Sequence, residues 1–207
     1  MSNSAAILDA ARRIVRAEAS AVAAVADQLD DSFTEVVELL LGTSGKVFVT
    51  GSGTSGAVAR RMAHLLAVCG TPAAFIHAMD ALHGTMGVLT RGDVLISISR
   101  GGESAEINDL SARAIDRGLS VIALTAAPAS TLGRLAQVTV VLDTEPEADP
   151  GGMIAMGSTL VTAVWGDAVA TVLMRLRGYG FDQVLDIHPA GAVGTTQTVP
   201  EALEPLR

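Results

Sequence analysis

The sequence predicts an α/β fold: a three-layer αβα sandwich built on a five-stranded parallel sheet and preceded by N-terminal helices. Three observations carry this. Nearly continuous apolar runs recur from residue 46 onward, as strands covered on both faces require. Helical patterns alternate with them, the signature of strand–helix–strand units. Two of the runs end in glycine- and hydroxyl-rich turns at helix starts: Gly51-Ser52-Gly53-Thr54-Ser55-Gly56, and Ser97 through Ser104.

Taken in order, residues 4–29 place Ile7, Ala11, Ile14, Val15, Ala19, Val22, Val25 and Leu29 at helical spacing. This predicts one long amphipathic helix. Asp31-Ser32 opens a second helix, Phe33–Leu41, which Gly42 ends. Residues 1–44 are therefore expected to belong to the same unit and to supply contacts between subunits. Strands follow at 46–50, 73–76, 93–98, 120–125 and 137–142. Helices are expected at 55–69, 104–117 and 129–135, with a short one near 78–82. Gly70 and Gly118 fall where helix C-caps belong. After the fifth strand comes an acidic loop, 143–152, punctuated by Pro and Gly. A long apolar helix is expected at about 153–177, ended by Gly178. The main domain runs over 45–193, and the tail 194–207 has little periodicity.

Composition narrows the function. The chain has 207 residues with 49% hydrophobic and only 3% aromatic content, and its net charge is −8. A basic footprint for nucleic acid is missing, and so is an aromatic stacking surface, so no nucleic-acid partner is expected. The apolar stretches read as too short or too interrupted to span a bilayer, and no signal pattern opens the chain. A cytoplasmic protein without membrane partners is expected. The single cysteine, Cys69, permits no internal disulfide.

The chemistry is read from the turns. Glycines let backbone N–H groups approach a ligand, and helix N-termini favour anions. Ser52, Thr54 and Ser55 in the first turn and Ser99 and Ser104 in the second supply hydroxyls for a phosphorylated ligand between them. The G-x-G-x-x-G spacing of the first turn lacks the acidic partner that a dinucleotide site needs after the second strand. Lys46 is the only lysine and starts the first strand, away from the loops. Schiff-base chemistry is therefore not expected. Arg100 is the one cation within a ligand loop, and its planar fork suits an oxyanion. Glu103 and Glu106 lie in the first turn of a helix, and Glu147 lies in the loop after the last strand. Either Glu106 or Glu147 is placed to act as a base. His77, Asp80 and His83 offer three metal donors but no fourth, so no metal is expected. His188 stands apart from the helical pattern, with a side chain suited to proton transfer near neutrality.

With these residues in view, the chain resembles the sugar isomerase (SIS) domain family, and within it the arabinose-5-phosphate isomerases. The likeness spans about residues 45–193. It rests on Gly51-Ser-Gly-Thr-Ser-Gly56, Gly70-Thr-Pro72, His77 to His83-Gly84, Ser99-Arg-Gly-Gly-Glu-Ser104 with Glu106, Glu147-Ala-Asp-Pro150, Gly166-Asp-Ala168 and His188-Pro-Ala-Gly191. The resemblance implies a phosphosugar aldose–ketose isomerase working through a cis-enediol, with no cofactor. It implies that Thr54, Ser55, Ser99 and Ser104 hold the phosphate, that Asp80 and His83 line the pocket, and that Glu106, Glu147 and His188 move protons. It further implies a homotetramer whose sites borrow a histidine from a neighbour. Those isomerases usually carry two regulatory (CBS) domains beyond the likeness, so a short form is expected. This chain has Thr54 where the family usually has lysine, and Arg100-Gly101 within the family's usual Ser-Asn-Ser-Gly-Glu. Arg100 is expected to replace the missing cation. Related alternatives are a 6-phospho-3-hexuloisomerase, an isomerase of another anionic sugar, and a non-catalytic sugar-phosphate-binding module.

Overall fold

All five expected strands form: β1 (Val47–Gly51), β2 (Ala73–Phe75), β3 (Val94–Ile98), β4 (Ser120–Thr125) and β5 (Val138–Val141). They pair in parallel in the order β2-β1-β3-β4-β5. The computed structural model describes residues 3–204 and 206.

The two sheet faces bury alternate side chains, as the period of a strand dictates. Val47, Val49, Ile96 and Leu124 join one core with α1 (Asn3–Ala23), α2 (Asp31–Gly42), α3 (Gly53–Val68) and α7 (Gly157–Leu176). Phe48, Leu95 and Ala123 join the other with α4 (Ala78–Leu82), α5 (Ala105–Asp116) and α6 (Thr131–Leu135). Strand order reverses between β1 and β3, and their following helices, α3 and α5, cover opposite faces. Such a switch point leaves a crevice beyond the carboxyl ends of the two strands.

The N-terminal helices belong to the same packed unit. The expected single helix over 4–29 instead ends at Ala23 and tightens into a 3₁₀ turn, Ala24–Gln28. The Gln28 amide reaches across to bond Asp143 on both its N–H and its carbonyl, which ties this turn to the acidic loop. The second helix begins two residues early, at Asp31, because the Asp30 side chain accepts from the Ser32 N–H at 2.9 Å. Phe33 of α2 meets Trp165 of α7 edge-on, with centroids 5.9 Å apart.

The largest departure from expectation lies before α7. This helix begins at Gly157 rather than near 153, because residues 146–152 fold into two 3₁₀ turns, with Gly151 and Gly152 at positive φ. A second correction concerns apolar length. At 20 residues with a mean hydropathy of 1.3, α7 is long and apolar enough to cross a membrane. Here Val161, Trp165, Val169 and Leu173 are instead buried against α1, α2 and α3. Beyond it lie two short helices that the sequence reading lacks, α8 (Phe181–Asp186) and α9 (Gly191–Gly194). The described part of the tail that follows is exposed and without regular structure.

Candidate active site

The first turn is shaped by close packing. A Cβ on Gly56 would stand 2.7 Å from the Gly51 carbonyl oxygen, and one on Gly51 would stand 2.8 Å from the Ser55 carbonyl. Both glycines therefore let α3 start directly against the end of β1. This seating leaves Ser52 at the N-cap of α3, with Thr54 exposed and Ser55 half-buried in the first helical turn.

The second turn brings Glu106 to the same crevice. Glu106 lies in the first turn of α5, where the helix dipole favours a carboxylate. The Ser52 hydroxyl donates to Glu106 Oε1 at 2.5 Å, across the switch point between β1 and β3. That bond is the main cause holding the Glu106 carboxyl below its ordinary range. The helix N–H adds to it, partial burial opposes it, and the nearby His77 contributes least. Glu106 is thus an ionised, half-buried acceptor at neutral pH, held at the end of the sheet where α/β folds bind ligands.

Around it the second turn presents hydroxyls. Ser99, buried at the end of β3, accepts from the Gly102 N–H at 3.2 Å and lies 3.3 Å from the Ser104 hydroxyl. Glu103 faces outward and accepts from the Thr131 N–H, so it caps α6 and lies outside the crevice. Beside these groups, Ser55, Arg100, Thr125, Ser158, Thr159 and Thr162 line a narrow pocket between α3 and α7.

Arg100 is not free in this pocket. Its Nη1 lies 3.3 Å from Asp149 Oδ2, an ion pair whose angle falls short of a hydrogen bond. Asp149 is fully buried, and its other oxygen accepts from the Met156 and Ser158 N–H groups at 2.8 and 3.1 Å. Burial works against this charge, but Ser158, Met156 and Arg100 outweigh it and hold the Asp149 carboxyl below the usual range. The Ser158 hydroxyl lies near the same carboxylate without reaching hydrogen-bond geometry. Asp149 and Ser158 escape sequence reading because the bonds join residues on either side of the Pro150–Gly152 turn, a spacing that matches no local capping pattern.

The remaining expected residues lie further out. Asp80 and His83, at the end of α4, are exposed one strand over, at the rim on the β2 side, where the adjoining His77 comes near Glu106. Asp80 also lines a groove with Lys46, Arg60 and Phe75, and its carboxylate is 3.7 Å from His77 Nδ1. Glu147 is exposed and faces a groove against Arg13, Ile14 and Ala17 of α1. Among the described residues no hydrogen bond or ion pair joins it to the crevice. His188 is more distant in the fold. α7 leads away from the loops for about 30 Å, and Tyr179 then packs against Gly70, at the amino end of the sheet. His188 follows α8, with its Nδ1 2.6 Å from the Val184 carbonyl. The structure thus gathers Ser52, Ser55, Ser99, Arg100, Ser104 and Glu106 at one sheet edge, and it leaves Glu147 and His188 outside that cluster.

The chain and its fold of sheet order 2-1-3-4-5 have counterparts among known proteins. The model of the SIS domain family matches residues 40–171. The chain belongs to the SIS domain family. Over 191 residues it is 35% identical to the arabinose 5-phosphate isomerase GutQ of Escherichia coli K12, covering 92% of this chain and 60% of that protein. It is 37% identical over 194 residues to the arabinose 5-phosphate isomerase KdsD of Pseudomonas aeruginosa, covering 94% of this chain and 60% of that one. The chain therefore spans about 60% of the length of these curated relatives. Among solved structures, this SIS chain superposes on the Escherichia coli CFT073 protein c3406 in complex with A5P with a TM-score of 0.86. Sequence identity is 32%, and the match covers 91% of this chain and all of that one.

Proposed function

We propose that this SIS protein is an aldose–ketose isomerase of a small phosphorylated sugar, of the arabinose 5-phosphate type. The observation that carries the reading is the Ser52-held Glu106 carboxylate, ionised at neutral pH beside two hydroxyl-rich turns and one arginine. A carboxylate in that state is a base. It takes the proton from C2 of the open-chain aldose while O1 gains a proton, giving a cis-enediol, and returns a proton to C1 as O2 loses its own, giving the ketose. The shift is internal to the sugar, so electrons balance without a redox cofactor. Ser55, Ser99, Ser104 and Arg100 hold the phosphate, and Thr54, Asp80 and His83 border the sugar. The relatives named as arabinose 5-phosphate isomerases and the A5P-bound c3406 structure support this reading.

The positions of Glu147 and His188 favour a site completed by a second copy of the chain. The outer face of α1 carries Ile7, Leu8 and Val15, all more than half exposed, and the segment before α7 carries exposed Met153 and Ile154. Covering these faces in a homotetramer brings His188 of one copy toward the crevice of another. Glu147→Gln and His188→Ala each then lower turnover about a hundredfold, with the fold intact by circular dichroism. Mixing the Glu106→Gln and His188→Ala proteins under subunit exchange restores activity, because some sites receive both intact groups. A mixture as inactive as its parts, from variants shown to exchange subunits, rules out the shared site.

A further inference from the structure

The proposed isomerase reading leaves Asp149 without a part, yet it is the fully buried charge nearest the crevice. One of its oxygens fixes the start of α7 through the Met156 and Ser158 N–H groups. The other faces Arg100, whose side chain is 41% exposed. A buried carboxylate gains most from a partner that cannot lose its charge, and arginine is that partner. Among the described residues, only Nη1 of the guanidinium is engaged, by Asp149 and, marginally, by the Gly152 carbonyl at 3.5 Å. The fork keeps its other N–H donors for the pocket. Across that pocket stand Ser55, Thr125, Thr159 and Thr162, together with the Ser158 hydroxyl, which is more than nine-tenths buried and has no hydrogen-bond partner among the described residues.

We infer that Asp149 is a positioning residue that aims Arg100 at the substrate's phosphate and aligns the N-terminus of α7 across the same pocket. This rests on the isomerase reading for the identity of the substrate, but not for the binding of an anion. The pair is a tether between two loops that are far apart in sequence. The second glycine turn contributes the cation, and the acidic loop contributes the anion that fixes its direction. Without Asp149, Arg100 is a flexible exposed side chain that must be ordered anew each time an anion binds, which weakens binding. The tether therefore makes phosphate capture in this protein depend on a residue outside both glycine turns.

The test compares Asp149→Asn, Arg100→Asn and the double variant in the full chain. Asparagine at 149 keeps an oxygen for the Met156 and Ser158 N–H groups but loses the charge that directs Arg100. Two readouts are taken: the KM and kcat for arabinose 5-phosphate, and the calorimetric Kd for inorganic phosphate. Each single variant raises KM and the phosphate Kd about tenfold, the size of one charge-assisted hydrogen bond, with kcat within about threefold of wild type. The double variant is no worse than Arg100→Asn alone, because the two residues act as one unit. Equal and additive losses, or tighter phosphate binding by Asp149→Asn, overturn the inference. Should Asp149→Asn fail to fold, Arg100→Asn still decides: phosphate binding unchanged from wild type leaves Asp149 nothing to aim. The phosphate Kd separates the two claims. A wild-type protein that isomerises no sugar, yet loses phosphate binding in these variants, keeps the tether and refutes the isomerase.

Discussion

The two glycine-rich turns look alike in sequence and do different work. In the first, Gly51 and Gly56 are demanded by packing, since a Cβ on either would strike backbone. Its spacing imitates a dinucleotide fingerprint, but the glycines serve to seat α3 on β1. In the second, Gly102 is at positive φ and packed against Ser130, whereas a Cβ on Gly101 would meet nothing within 4 Å, and the turn's chemistry lies in its side chains: Ser99, Arg100 and Ser104. The bond between Ser52 and Glu106 joins the two turns across the switch point. The lesson is that the glycine pattern reports close approach of backbone, while the chemistry is carried by the residues between and after the glycines.

Substitutions can break this contrast. The largest effect falls on the carboxylate: Glu106→Gln keeps the shape and one acceptor but removes the base, and kcat falls about a thousandfold with little change in melting temperature. Gly56→Ala acts instead on stability. Overpacking against the Gly51 carbonyl costs about 1–3 kcal/mol, read as a drop of roughly 2–12 °C in Tm. Ser52→Ala comes next. It removes the main cause of the lowered Glu106 pKa, so the acid limb of the kcat/KM profile moves to higher pH, and turnover at pH 7.5 falls about tenfold or less. The same depressed carboxyl contributes stability above the ordinary glutamate range and loses it as pH falls through the folded value. Ser52→Ala therefore narrows the stability gap between pH 7 and pH 3. Smallest is Gly101→Ala, which changes stability by less than about 0.5 kcal/mol and so separates Gly101 from the packed glycines Gly51, Gly56 and Gly102.

Much of this was legible in the sequence because it is local. The strands were readable as apolar runs, and each observed boundary lies within one residue of expectation, since burial on both faces leaves little room for polar residues. Ser52 and Glu106 were each visible as turn and helix-start residues. Their bond was not, because it spans 54 positions and depends on which strands are neighbours. The start of α7 was misplaced for the same reason: apolar spacing runs on through Met153 and Ile154, but the Asp149 carboxylate and two positive-φ glycines hold the helix start back to Gly157. Glu147 and His188 carry suitable chemistry, and the fold of one chain gives neither a place beside Glu106.

The central claim is proton transfer at C1 and C2 of a phosphorylated aldose by the Glu106 crevice. The direct measurement is NMR of arabinose 5-phosphate incubated with the protein in deuterium oxide. Ribulose 5-phosphate is expected to form with deuterium entering at C1, and Glu106→Gln to lose both. Tight binding of arabinose 5-phosphate with neither ketose formation nor deuterium in the sugar would contradict it and leave a sugar-phosphate-binding module.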